Sequence, residues 1–228
     1  MVSGRVRMTL PEDVMAFLRE AETLRDSRLR INPLSIDECV RRTEAFHEIP
    51  IAAELGLIVL DDADDSNPYC LITRGPAAGM VVHFRHEGDY GLHYPRLADF
   101  REALRAAREQ RLSIDDLPRR RLDPHPDQPL LVGYLTSCLR RDDDDAPGLL
   151  QIHFPLLDAA NLEVLQEAAS SVDFLVREIA ARFLEEHALP VHRDVATRLA
   201  SDSYPQVADP ARRALRAIAL ADDSGSKG

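Results

Sequence analysis

A chain of 228 residues with 45% hydrophobic and 29% charged residues has the composition of an ordinary globular protein, and its length suits one large domain or two small ones. A net charge of −11 argues against wrapping nucleic-acid phosphate, which needs clustered Lys and Arg, and makes a basic partner the better match. No apolar run reaches the ~18 residues of a spanning helix. Met1 to Arg7 is charged without a following apolar stretch, so a cytoplasmic location and no membrane partner are expected. Cys39, Cys70 and Cys138 are far apart and odd in number, as expected of small buried hydrophobes in a reducing compartment.

In chain order, Leu10 to Leu24 reads as a first helix, with Pro11 in the first turn and Glu12 and Asp13 beside the positive end of its dipole. Val14, Phe17, Leu18 and Ala21 share one face. After Asn32-Pro33, Ser35 three residues before Glu38 has the form of a capping box opening a second helix. His47 to Leu55 is a connection or an extended segment. Three β-prone runs follow, at 57–60, 69–72 and 80–86, separated by Asp, Asn, Gly and Pro. They predict a three-strand antiparallel meander. Leu97, Phe100, Leu104 and Ala107 then fall on one face of a helix that covers the sheet, its start marked by Asp99 or by Pro95-Arg96.

The order Asn67-Pro68-Tyr69, Gly79 before Met80-Val81-Val82, His86-Glu87, and the helix Leu97 to Leu104 resembles the SMI1/KNR4 (SUKH) superfamily. The opening Leu10-Pro11 to Phe17-Leu18 is similar to that family's first helix. The absence of Trp departs from the family pattern. What the resemblance implies is an α+β fold, a small antiparallel sheet flanked by helices, in a bacterial immunity protein that neutralises a toxin by occlusion.

Residues 115–128 hold three prolines among Arg and Asp and read as a linker between a first domain, 1–114, and a helical domain, 129–221. Leu130 to Leu139 is expected to be helical, Arg140 to Gly148 an exposed loop, and Leu149 to Phe154 is too short to assign between strand and helix. Leu162 to Ser170 resembles Arg193 to Ser201 at an offset of 31, and Val176 to Leu184 resembles Ala211 to Ala219 at an offset of 35. Asp202, Pro205 and Val207 approximate the turn of a HEAT-type repeat, so the region resembles HEAT-like helix pairs. A plain two-helix hairpin remains the alternative. Three units are usually needed for stability, so Leu130 to Phe154 or the first domain is expected to supply the missing face. The tail, 222–228, is polar and expected to be disordered.

Chemistry is sparse in this pattern. Asp61, Asp62, Asp64, Asp65 and Asn67 lack the Gly and Glu that a calcium loop needs, and read as a solvated hairpin turn. His83 and His86 point to opposite faces of a strand, so they do not converge on one metal. Gly75 to Gly79 lacks the Lys-Ser/Thr of a phosphate loop, and no nucleophile motif is present. The expectation is a non-enzyme with no cofactor, no metal and no catalytic residues, binding a protein such as a basic toxin domain. Carboxylates speed such encounters by electrostatic steering. Asp61, Asp62, Asp64, Asp65, Asp89 and Tyr90 form the candidate contact surface, with Asp142 to Asp145 as a second patch. A scaffold or adaptor that binds a protein through its helical half is the other reading.

Overall fold

The computed structural model describes residues 8–61, 67–85, 88, 90–118 and 121–225, the last three by backbone alone. The chain divides into two compact units, residues 1–122 and 123–228. The boundary falls inside the Pro- and Arg-rich stretch, whose two ends are bonded into different units. Asp115 is bonded into the first unit through Tyr69, while His125 N–H and the Gln128 amide both donate to the Leu156 carbonyl of the second.

In the first unit, helices α1 (Glu12–Ala21), α2 (Ile36–Phe46) and α3 (Pro50–Glu54) precede strands β1 (Ile58–Val59), β2 (Tyr69–Leu71), β3 (Val81–His83) and β4 (Gly91–Tyr94), and α4 (Leu97–Gln110) follows. Among the described residues these strands form one antiparallel sheet in the order β1-β2-β3-β4. The expected meander gains a fourth strand, because Gly91 to Tyr94 pairs with β3 despite its half-polar sequence. The segment before β1 is the helix α3, not an extended connection; Pro50 at its first turn presets the backbone there. Glu38 reaches back to accept from both the Ser35 N–H and the Ser35 hydroxyl, at 3.0 and 2.7 Å, which fixes the start of α2.

Each face of the sheet has its own cover. Val59 and Cys70 are paired on one face, where Thr43 of α2 accepts the Val59 N–H at 3.0 Å and Phe46 meets Phe84 edge-on at 5.3 Å. Burial pushes the Cys39 thiol up to about 11 and holds that of Cys70 well above its usual value; all three cysteines are buried. Tyr69 and Val81 lie on the other face, against Phe100 of α4, which stacks on Phe17 of α1 at 5.7 Å. Glu20 pairs with Arg101 and Arg105, joining α1 to α4 at the surface.

The second unit is built of helical hairpins: α5 (Gln128–Leu139) with α6 (Ala146–His153), α7 (Leu162–Ala169) with α8 (Phe174–Glu186), and α9 (Arg193–Leu199) with α10 (Pro205–Gly225). Helix α6 resolves the open assignment at Leu149 to Phe154, and the first hairpin supplies the third unit that stacking calls for. From α6 onward, buried positions recur at a spacing of 31. Val164 matches Val195, Leu165 matches Ala196 and Ala168 matches Leu199; Val176, Ala180 and Phe183 match Val207, Ala211 and Ala214. Leu149, Leu150 and Ile152 of α6 match Ala180, Ala181 and Phe183 of α8 at the same spacing. The offset of 35 read for the second helix pair thus gives way to 31, because burial and not Arg/Ala composition sets the register. Helix α10 runs to Gly225, so residues 222–225 of the tail expected to be disordered are helical, and Asp222 is bonded to Arg193; residues 226–228 lie outside the described residues. Among the described residues no helix is long and apolar enough to cross a membrane.

Candidate functional site

The densest group of polar and aromatic side chains lies at one end of the sheet. Tyr69 begins β2 and His83 ends β3; their backbones are directly paired, so both side chains leave the same face. The rings stack at 4.3 Å and 14°. On β4 the register breaks: Val81 pairs with Tyr94 but Val82 with Leu92, leaving His93 as an extra residue. Such a bulge turns neighbouring residues toward one side. Both His93 and Tyr94 accordingly reach Tyr69, with ring centroids at 5.6 and 5.9 Å. The His93 ring folds back over Gly91, where a Cβ would lie 2.7 Å from its Nε2, so a side chain at 91 would displace the ring.

Asp115 completes the group from the 3₁₀ turn Ile114–Asp116 that follows α4. Buried Ile114 anchors this turn, and the Ser113 hydroxyl accepts the Asp115 N–H. The Tyr69 hydroxyl donates to Asp115 Oδ1 at 2.7 Å and lies 3.5 Å from His93 Nδ1. His83 Nε2 donates to the Asn67 carbonyl at 2.9 Å, while its Nδ1 lies 3.8 Å from the same Asp115 oxygen. Burial above all, then the adjacent Asp115 carboxylate, drives the Tyr69 phenol far above its usual range. It stays protonated, and so remains a donor. The Asp115 side chain is 40% exposed, whereas those of Tyr69 and His83 are buried beneath it. The result is a half-exposed carboxylate with one oxygen held by a rigid aromatic floor. Among the described residues no group of three or more His, Cys, Asp or Glu side chains is placed to hold a metal ion.

The structure separates the residues expected on the acidic contact surface. Asp61 is 2% exposed, and its Oδ1 accepts the Tyr69 N–H at 2.6 Å. It is thus an internal anchor of the turn into β2 and not a surface group, because it satisfies a buried amide. Tyr90 is half-buried against Phe84 at 4.5 Å. Asp62, Asp64, Asp65 and Asp89 lie outside the described residues, as do His86 and Glu87. In the second patch, Asp142, Asp143 and Asp144 are exposed. Asp143 accepts from Arg141 at 2.8 Å and from the backbone of Asp145 and Ala146, which lowers its carboxyl below the usual range, chiefly through the Arg141 bond.

Sequence reasoning passed over Tyr69, His93 and Asp115 as partners. Tyr69 was visible as a strand residue and as part of the Asn67-Pro68-Tyr69 motif but not as a donor, and Asp115 fell in the stretch read as a linker. Ser113 two residues before Asp115 was the local signal for a turn there. Comparison with protein-family models, with curated proteins and with solved structures gives no match for this chain.

Proposed function

We propose that the chain is a non-catalytic protein-binding module of the immunity type, which neutralises a basic bacterial toxin domain, such as a nuclease, by occluding it. The observation that carries this reading is Asp115. The Tyr69 hydroxyl holds one of its oxygens, with His83 Nδ1 3.8 Å from the same atom, and the carboxylate is 40% exposed beside the half-buried rings of His93 and Tyr94. A carboxylate fixed in advance, next to aromatic faces, suits the guanidinium or ammonium group of a basic partner through an ion pair and cation–π contact. Little side-chain entropy is left to lose on binding, and the net charge of −11 adds steering toward a cationic surface. The SMI1/KNR4 (SUKH) resemblance of the first unit and the HEAT-like hairpins of the second support a protein-binding role in the same direction.

The test is co-expression with the toxin encoded beside this gene. Rescue of growth and recovery of a complex are expected, both weakened by Asp115→Asn. Absence of a complex together with absence of rescue refutes the reading.

A further inference from the structure

The second unit carries a surface of its own. Successive hairpins are joined along one edge, where the turns within them lie. Polar links across successive hairpins mark that edge. Arg140 at the end of α5 lies 3.6 Å from Glu167 near the end of α7, and Arg198 of α9 donates to the Gln166 carbonyl and to Ser170 at the end of α7. At the start of the second helices, Phe174 stacks on Tyr204 at 4.6 Å and 13°, and Arg177 pairs with Asp202 at 2.6 Å.

What the turns expose changes along the edge. The first shows Asp142, Asp143 and Asp144 to solvent. The second and third show apolar groups: Val172 is 101% exposed, Leu175 43% and Tyr204 44%. Single exposed hydrophobes are ordinary, but adjacent ones mark an interaction surface. These are also held still. The Arg177 guanidinium donates to the Ser171 and Val172 carbonyls at 3.0 and 2.9 Å while it grips Asp202, and it lies 5.9 Å from the Tyr204 ring centre. A fully exposed valine on a turn pinned through its own carbonyl is presented, not left loose.

We propose that this edge docks an extended protein segment carrying basic residues at one end and an apolar side chain at the other. The charge pattern selects that occupant. Exposed Asp142 and Asp144 favour Arg or Lys, and the exposed Val172, Leu175 and Tyr204, on neighbouring turns bridged by Arg177, favour an apolar anchor. Stacked helices lie ~8–10 Å apart, so the first and third turns are separated by roughly 20 Å. At ~3.3 Å per residue, about six extended residues span that distance. Pairing of the edge with a second copy is disfavoured by the net charge of −11. The inference stands on the helical unit alone, whatever the first unit binds.

Fluorescence anisotropy of the full chain tests it with three labelled decapeptides. One carries two Arg and, about five positions on, two Leu; the others replace Arg with Glu or Leu with Ala. The Arg/Leu peptide is expected to bind about tenfold or more tightly than either control. Val172→Asp, a change at a fully exposed site that leaves the circular dichroism intact, should weaken it by about tenfold. Asp142→Asn with Asp144→Asn should weaken it by about threefold, with the loss fading at high salt. Equal binding of all three peptides overturns the proposal, as does an unchanged affinity in Val172→Asp. Self-association that depends on Val172 in sedimentation velocity, without peptide binding, also overturns it, because the occupant is then a second copy.

Discussion

Removing the Tyr69 hydroxyl measures how firmly the Asp115 carboxylate is held. Tyr69→Phe keeps the ring, which is 1% exposed and stacked on His83 at 4.3 Å, so the loss reduces to the 2.7 Å bond to Asp115. A hydrogen bond to a charged group contributes ~1.5–3 kcal/mol, and a carboxylate that is 40% exposed recovers part of this from water, which places the loss at about 1.5 kcal/mol. For a unit of this size that corresponds to roughly 4–6 °C in Tm. Asp115→Ala should cost at least as much, because it leaves the buried Tyr69 hydroxyl without that acceptor. The double variant should fall short of the sum by about 1 kcal/mol or more, the coupling of the pair.

The chain has no Trp, and its two units need not unfold together, so amide hydrogen exchange across β2 and β3 is the suitable readout, with far-ultraviolet circular dichroism for the whole chain. The phenol adds a signature in alkali. Its folded-state pKa is raised, so its stabilising effect is fully present below the unfolded value of about 10 and is lost as pH climbs above it. Tyr69→Phe should flatten that alkaline loss. A coupling under about 0.3 kcal/mol with an unchanged alkaline profile would falsify the picture of a carboxylate locked by the phenol.

Asp61→Ala should destabilise the first unit by about 1–3 kcal/mol, since the buried Tyr69 N–H loses its acceptor; a neutral effect in urea titration would return Asp61 to the surface. Gly56 has φ of +58°, and a Cβ there would meet Thr73 Oγ1, whose hydroxyl donates to the Gly56 carbonyl. Gly56→Ala is therefore expected to cost about 1–3 kcal/mol in thermal unfolding, whereas Gly133→Ala, in the interior of α5 with open space beside it, should stabilise by about 0.5–1 kcal/mol. In the helical unit the Arg177 bond holds the Asp202 carboxyl below its usual range. The stabilisation is present above the unfolded value of about 4 and is lost as pH falls below it. Exchange protection at the start of α10 should drop over that window in the wild type and change less in Asp202→Asn.

Much of the secondary structure was legible because it is written in local chemistry. The Ser35–Glu38 pair marked the start of α2, the 3–4 spacing of Phe100, Leu104 and Ala107 marked α4, and Asp, Asn, Gly and Pro separated β1, β2 and β3. These signals act within a few residues and need no partner. The fourth strand escaped because Gly91-Leu92-His93-Tyr94 becomes a strand only by pairing with β3. Its bulge, which brings His93 and Tyr94 to the same side, has no signature in the chain itself.

Turn-bounded β-prone runs followed by helical periods determined the α+β character by themselves, and counting residues determined the acidic balance, because both signals are local to the chain. Tertiary structure alone decided that Asp61 is an interior anchor while Asp115, 54 positions further on, becomes the presented carboxylate. It also fixed the 31-residue register of the hairpins, which the resemblance between Ala- and Arg-rich helices had blurred. The physical reason is common to both. A carboxylate or an alanine has one composition but several possible neighbours, and burial against residues distant in sequence selects among them.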